Sequence, residues 1–463
     1  MNNTPEAVDL RHPRRIHIVG LGGAGMSAIA EVLVGTGHTV SGSDLATSAP
    51  LERLAAAGVE AHVGHVAGQV GDAEFVAIST AIPDTNPEVI EARKRGIPVL
   101  RRAEILTAIT RAWRTVAVAG THGKTTTSAM LTIALRGAGL DPAFIVGGDL
   151  KDLDRGAAVG SGEFLVVEAD ESDGTFIELE AEGVIVTNVE PDHLEHYGGF
   201  EPLRRAFVQF IEQASGPRIV CIDDPGAREL LAGLDGVTTY GLDPAAMWRI
   251  IEPLPTPVGV NFDVIRGDDR FHIALRQPGL HNARNATAAL ATAVALGGDG
   301  HRIAEALSAF GGVGRRFEHR GSVAGVTLVD DYAHLPTEVA AALQGAASTN
   351  PRRLVAVFQP HRYSRTEQLW STFTDAFVAA DVLIVTGIYG AGEAPRPGIV
   401  GSLIADDIAS AYPDADVRFI ESLDDVVVEL TAELGAGDLC LTLGAGDLTS
   451  IPDRVVAALH DRS

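Results

Sequence analysis

The segment TVAVAGTHGKTTTSAM, residues 115–130, constrains this chain more than any other. A short β-branched run stops at Gly120, and a second glycine at Gly123 opens a stretch of helical composition, so a strand must turn into a helix within a few residues. A buried sheet with helices packed on it presents such turns at its strand ends, which predicts an α/β fold. Gly120, Gly123, Lys124 and Thr125 form a GxxGKT, shorter than the usual GxxxxGK[ST] because Val118 stands where the first glycine would be. In that setting backbone amides cradle phosphates, Lys124 neutralises the β and γ oxygens, and the Thr125 hydroxyl ligates Mg²⁺. Composition sharpens the reading. The chain has three lysines (Lys94, Lys124 and Lys151) against 33 arginines, so a lysine kept in this loop marks a demand for a compact point charge.

A second strand-loop-helix unit lies upstream. RIHIVG, 15–20, is followed by a helical pattern in which Met26, Ile29, Ala30 and Leu33 recur, and then by the strand-like HTVSGSD. Gly20, Gly22 and Gly25 make a GxGxxG, with Asp44 closing the next strand. Read alone, this loop suits a nicotinamide or flavin cofactor, another nucleotide diphosphate, or a tight turn without ligand.

At 463 residues the chain exceeds one core and predicts two to four domains. Further strand-like runs (EFVAIST, IPVL, FLVVEAD, GVIVTNV, RIVCID, VTLVDDY, RLVAVFQ, DVLIVTGIY, DLCLTLG) alternate with helical ones. We expect three α/β modules: a Rossmann-like N-terminal domain over 1–113, a central P-loop ATPase-type domain over 114–318 and a C-terminal Rossmann-like domain over 319–463. The cluster GGVGRRFEHRG, 311–321, reads as a hinge. A formal charge of −25 repels nucleic acid and anionic membrane, so anionic ligands need local capture sites. Cys221 and Cys440 lie in apolar runs and predict buried thiols of a reduced, cytoplasmic protein. No window has the apolar length of a membrane span.

Several polar clusters follow the strand-like runs. Glu168, Asp170, Glu171 and Asp173 end one of them, and His193 and His196 follow another. Their place beside a P-loop makes Glu168 and His193 candidate Mg²⁺ ligands. His281, Asn282 and Asn285 stand at a helix start, where Asn282 could equally act as an N-cap. In FQPHRYSRT, Arg362 and Arg365 are candidate clamps for a carboxylate or phosphate.

Taken together, HIVGLGGAGMSAIAE, AGTHGKTTTSAM, EADESDG, NVEPDHLEHYG, GLHNARNATAA, GRRFE, DDYAHLPTE, FQPHRYSRT, YGAGE and GAGDL resemble the Mur ligase family, in family order from Arg15 to about Leu448. Within the family the resemblance implies the activity of joining L-alanine to the lactyl carboxylate of UDP-N-acetylmuramate, an ATP-dependent step of peptidoglycan precursor synthesis. The resemblance implies that the first loop binds the UDP sugar rather than a redox cofactor, through Gly20, Gly22, Gly23, Gly25, Met26, Asp44 and Ser79. It implies ATP at Gly120, Thr121, His122, Gly123, Lys124, Thr125 and Thr126, with Asn282 and Asn285 near the adenine and Asp330 or Asp331 near the ribose. Mg²⁺, with Mn²⁺ as an alternative, is implied at Thr125, Glu168 and His193. Lys124, His193 and Arg316 are the implied catalytic groups, and Tyr332, His334, His361, Arg362 and Arg365 the amino-acid pocket. A monomer or homodimer without nucleic-acid or membrane partners is expected. Leu335 replaces a second histidine common in the family, and Thr175 a common serine. Some relatives carry a CO₂-modified lysine after the acidic segment; every lysine here precedes Glu168. Three rival readings remain: a peptide-adding ligase of the same family, an NAD-dependent oxidoreductase suggested by the first loop alone, and a non-catalytic nucleotide-binding regulator.

Overall fold

The computed structural model describes residues 8–192 and 194–461. Its strands form three sheets. In the first, β1 (Arg15–Val19), β2 (Thr39–Asp44), β3 (Glu60–Val63), β4 (Phe75–Ile78) and β5 (Val99–Arg101) are all parallel, in the order β3-β2-β1-β4-β5. Ile16 and Ile18 of β1 join Met26, Ile29, Ala30 and Leu33 of helix Ala24–Gly35 in one apolar cluster. Val19, Val76 and Ile78 pack instead with Val89 and Ala92 of helix Pro87–Lys94. Strands covered on both faces read as nearly unbroken apolar runs, which is why this sheet was visible in the sequence.

The second sheet has ten strands: β6 (Arg114–Ala119), β7 (Ala143–Leu150), β8 (Arg155–Ala158), β9 (Phe164–Glu168), β10 (Gly183–Val186), β11 (Arg218–Cys221), β12 (Thr238–Gly241), β13 (Trp248–Thr256), β14 (Gly259–Arg266) and β15 (Asp269–Leu275). Their order is β15-β14-β13-β12-β11-β10-β6-β9-β7-β8. The stretch from β12 to β7 is parallel, and β8 runs antiparallel to β7. The strands β13 to β15 were not expected. Their signal is alternation, with Val260, Phe262 and Val264, then Phe271, Ile273 and Leu275, buried on every second position.

The third sheet orders β16 (Glu318–Val323), β17 (Val326–Asp331), β18 (Arg353–Phe358), β19 (Val382–Val385), β20 (Asp416–Phe419) and β21 (Asp438–Leu443) as β16-β17-β21-β18-β19-β20, with only β16 antiparallel. Leu354, Ala356 and Phe358 pack with Leu441, Leu443 and with Val339 and Leu343 of helix Pro336–Ser348. The described residues fall into two compact units. One reaches Ile251 and includes Asp263–Ile273 and Arg284–Phe310; the other holds Glu252–Phe262, Ala274–Ala283 and the chain from Gly311 onward. The second unit therefore resumes where the glycine and arginine cluster starts. There Gly312, Arg315 and Phe317 have φ of 100°, 57° and 46°. No described helix is long and apolar enough to cross a membrane.

Cys221 on β11 and Cys440 on β21 are both buried, as expected. Burial pushes their thiols up to about 11 and about 12. An aromatic disulfide reagent at pH 8 should label neither in the native protein and both after denaturation in guanidinium. Native labelling of one thiol would show that its sheet opens.

Candidate active site

The P-loop runs from the end of β6 into helix Lys124–Gly137. At Gly120, φ is 137° and a Cβ would lie 2.0 Å from Thr187 Oγ1, so no side chain fits. Gly123, at φ 78°, starts the helix; a Cβ there would lie 3.0 Å from Asn285 Oδ1, which places Asn285 against the loop. Among the described residues no side chain caps this helix and no acid sits in its first turn, so its amide end suits an anion.

Strand β10 holds the loop from one side. Thr121 N–H donates to the Asn188 carbonyl at 3.1 Å, His122 N–H to Asn188 Oδ1 at 2.7 Å, and Asn188 Nδ2 to the His122 carbonyl at 3.0 Å. Thr187 Oγ1 donates to the same carbonyl at 2.6 Å, and Glu190 N–H donates to Thr121 Oγ1 at 2.9 Å. Strand β9 supplies acids from the other side. Lys124 Nζ donates to the carbonyls of Gly120 (2.7 Å) and Thr121 (3.3 Å) and to Glu171 Oε1 at 2.9 Å. Burial pulls the Lys124 ammonium down, but Glu171, Glu168 and Asp170 outweigh it and hold it above the ordinary lysine range. Glu171 carries the burial cost, which raises its own carboxyl despite Lys124. For Asp170, burial is outweighed by the Ser172 amide and Lys124, and its carboxyl stays below the usual range. Tyr197 OH donates to the Glu171 carbonyl at 2.5 Å, and His196 faces Gly174, whose Cβ would lie 2.7 Å from its Nε2.

Thr125 Oγ1 donates to Glu168 Oε1 at 2.9 Å, and Glu168 Oε2 accepts from Gly147 N–H at 2.7 Å. A hydroxyl and a carboxylate oxygen side by side are the hard donors that Mg²⁺ takes. Among the described residues no three His, Cys, Asp or Glu side chains converge as a metal cage. His193, expected as the third ligand and as a catalytic group, lies outside the described residues.

In the first sheet Gly20, at φ 85°, turns the chain out of β1, and a Cβ there would lie 2.9 Å from Ser79 Oγ. Gly23 caps helix Ala24–Gly35, and a Cβ on Gly25 would touch Arg102. Asp44, expected among the UDP-sugar residues, accepts from Gly22 N–H at 2.8 Å and so holds the loop itself. Met26 is 2% exposed; its side chain belongs to the core, and only its backbone is left for a ligand. Asn282 is not an N-cap: the helix starts at Leu280, and its Nδ2 donates to the Pro278 carbonyl at 2.8 Å.

The C-terminal cluster comes together within its own unit. Tyr332 and His334 are edge to face at 5.5 Å, His334 and His361 at 5.7 Å, and His361 stacks on Tyr389 at 5.8 Å. Arg365 Nη1 lies 3.0 Å from His361 Nδ1; guanidinium only donates, so Nδ1 accepts and the proton of the neutral ring is on Nε2. Burial, helped by His334, Arg365 and Arg362, pulls His361 down to about 4, and burial also lowers His334. Arg362 adopts φ 66°, and its N–H donates to the Tyr389 carbonyl at 2.8 Å. Glu393 fixes Ser364 through N–H (2.9 Å) and Oγ (2.6 Å). Tyr389 and Glu393 thus explain the YGAGE segment, to which the sequence assigned no role. Arg316 lies over the Tyr332 ring at 5.1 Å, while Arg315 donates to the Gly444 carbonyl at 2.7 Å. Asp330 is 1% exposed and accepts from Thr442 and Thr449 hydroxyls, both at 2.6 Å. Asp331 accepts from Phe317 and Ala333 N–H at 2.7 and 2.8 Å, and burial raises it to about 6.

Strand-exit loops on three successive α/β sheets, the second with a P-loop and its acids, fit a multidomain nucleotide-dependent enzyme. The chain matches the Mur ligase family, catalytic domain, over residues 15–114, the Mur ligase middle domain over 118–293 and the Mur ligase, glutamate ligase domain, over 315–446. It belongs to the Mur ligase family. It is 46% identical over 450 residues to the UDP-N-acetylmuramate–L-alanine ligase of Nitratidesulfovibrio vulgaris strain DP4, covering 96% of this chain and 98% of that one. With the ligase of the same name from Myxococcus xanthus strain DK1622 it shares 43% over 463 residues, 99% and 98% of the two chains. The solved UDP-N-acetylmuramate-alanine ligase of Thermotoga maritima aligns at TM-score 0.81 and 29% identity, covering 97% of this chain and 100% of that one. A murein peptide ligase from Psychrobacter arcticus aligns at 0.67 and 26%, covering 96% and 98%.

Glu171→Gln should destabilise the protein by about 3 kcal/mol, because it leaves a buried ammonium short of its nearest counter-charge. Urea denaturation at pH 7 reads this directly. An unchanged midpoint would mean that Lys124 does not depend on Glu171.

Proposed function

We propose that this chain joins L-alanine to the lactyl carboxylate of UDP-N-acetylmuramate, with ATP converted to ADP and phosphate, in the cytoplasm. The observation that carries the reading is the Lys124, Thr125 and Glu168 constellation at the P-loop of a Mur ligase chain. In this reading the lactyl carboxylate oxygen attacks the γ-phosphorus, ADP leaves, and an acyl phosphate results. The neutral amine of alanine then attacks the acyl carbon, expelling phosphate and losing a proton to form the amide. Both steps gather negative charge, which Lys124, Arg316 and the amide end of helix Lys124–Gly137 neutralise. Thr125, Glu168 and, in this reading, His193 would hold Mg²⁺, which would supply further charge neutralisation.

The UDP sugar is assigned to the loop of Gly20, Gly22, Gly23 and Gly25 with Asp44 and Ser79. We assign adenine to Asn285 and Asn282, and the ribose to Asp331 rather than Asp330, whose oxygens already serve two threonines. Tyr332, His334, His361, Arg362 and Arg365 are assigned to L-alanine, whose carboxylate needs guanidinium anchors while its amine stays neutral. Domain boundaries are proposed at 113/114 and 318/319.

Phosphate release should require UDP-N-acetylmuramate, ATP and L-alanine together, and a tripeptide should not replace alanine. Arg365→Ala should raise the KM for L-alanine about thirtyfold, the loss expected for one charged anchor, with little effect on the KM for ATP. Release with the tripeptide but not alanine would favour the peptide-adding reading, and tight NADH binding would favour the redox one.

Because no lysine follows Glu168, none there can carry a carbamate. Activity in CO₂-depleted buffer should equal that with added bicarbonate; rescue by bicarbonate would show that Lys124 or Lys151 is modified.

A further inference from the structure

Behind the first glycine loop lies a polar cluster with no part in the chemistry above. Glu88, in the first turn of helix Pro87–Lys94, is 0% exposed, as is His17 on β1. Glu88 Oε1 lies 3.1 Å from His17 Nε2. Its Oε2 accepts from Ser43 Oγ at 2.7 Å and lies 2.8 Å from His65 Nδ1. Ser41 Oγ completes the set, 2.8 Å from His17 Nδ1. One carboxylate therefore ties together β1, β2, the exit of β3 and a helix. The same sheet face is otherwise filled by Val19, Val76, Ile78, Val89 and Ala92. Apolar residues of similar volume would stabilise such a face as well or better, so stability alone does not account for a buried carboxylate here.

What the cluster does is set backbone positions. Ser43 offers its carbonyl to Gly20 N–H at 2.9 Å and Leu21 N–H at 3.0 Å. The next residue, Asp44, accepts from Gly22 N–H at 2.8 Å. Asp44 is braced in turn, because its carbonyl accepts from Gly64 N–H at 2.7 Å, next to His65. Three successive amides of the glycine loop thus hang on Ser43 and Asp44, and Glu88 grips that pair through Ser43 directly and through His65. We propose that Glu88 is a positioning residue for nucleotide-sugar binding, acting through Ser43 and His65 to fix the glycine loop. The inference rests on the assignment of that loop to the UDP sugar.

Steady-state kinetics of purified Glu88→Gln, against each substrate in turn, tests it. The amide keeps the shape but turns one acceptor into a donor facing His17 or Ser43. The KM for UDP-N-acetylmuramate should rise about tenfold, the worth of a hydrogen bond to a charged group, while kcat and the KM values for ATP and L-alanine stay within about twofold. A residue that only stabilises the fold would lower the melting temperature without this split. An unchanged KM for the UDP sugar, or equal rises for all three substrates, overturns the proposal. Should Glu88→Gln not accumulate as folded protein, Ser43→Ala removes one donor and leaves the carboxylate. The same split of about fivefold is expected from it, and its absence is equally fatal. Asp44→Asn separates the two levels of the argument. If it leaves the UDP-sugar KM unchanged, the assignment of the loop falls and the inference with it; if it raises that KM while Glu88→Gln does not, the inference alone falls.

Discussion

The second sheet is organised around one buried ammonium. Lys124 Nζ sits among two carbonyls of its own loop and the Glu171 carboxylate, with only 15% of the side chain exposed. A charge so placed is tolerable only where oxygens surround it on several sides, and a loop can supply two of them only by bending its carbonyls inward. That bend demands φ of 137° at Gly120 and 78° at Gly123. The remaining oxygen comes from Glu171, just beyond the end of β9, so the order β10-β6-β9 becomes decisive. It sets the exits of three parallel strands side by side, with the P-loop in the middle, the acids after β9 on one flank and Asn188 after β10 on the other.

The two glycine loops solve different problems with the same turn. The central one ends on a lysine, so charge neutralisation is built into the loop. The N-terminal one has no lysine, and Asp44 occupies one of its amides. Such a loop depends on where its backbone amides point, and small displacements of β2 would move them all. A support that fixes β2 from behind is the natural counterpart, and side chains from β1, β2 and the exit of β3 converge on Glu88 to provide it.

Much of this architecture was legible because it is local. Strands buried on both faces announce themselves as apolar runs, and glycine loops between strand and helix mark the edge where ligands meet the sheet. The strands β13 to β15 escaped because they alternate rather than run. Glu171 was singled out with its acidic neighbours, but its pairing with Lys124 escaped, as did the roles of Asn188, Tyr389 and Glu393: each acts on a residue tens of positions away, and only the strand order brings the partners together. Met26 carried two signals at once, a place in a glycine motif and a helical apolar period, and the period decided its side chain. The alternative of an N-cap at Asn282 fails because the helix begins at Leu280, which puts the cap position at Gly279. The residues of the first loop left two ligand classes and a ligand-free turn open, and family resemblance narrowed them.

The same economy of charge governs the C-terminal cluster. A chain with a formal charge of −25 must create positive potential locally if it is to hold an amino acid by its carboxylate. His361, held down to about 4 first by burial and then by His334, Arg365 and Arg362, senses that potential. Two acids of the cluster also hold neighbouring backbone amides. Glu393 fixes Ser364 through its amide and hydroxyl, and Glu338 accepts from the His334 and Leu335 amides at 3.0 and 3.2 Å. The imidazoles stay neutral and provide shape and hydrogen bonds, while the permanent cations are arginines that no working pH discharges. Under the proposed assignment of this cluster to L-alanine, such an anchor would separate carboxylate capture from the proton that the amine must lose, so the two requirements on one substrate would not compete for one titratable group.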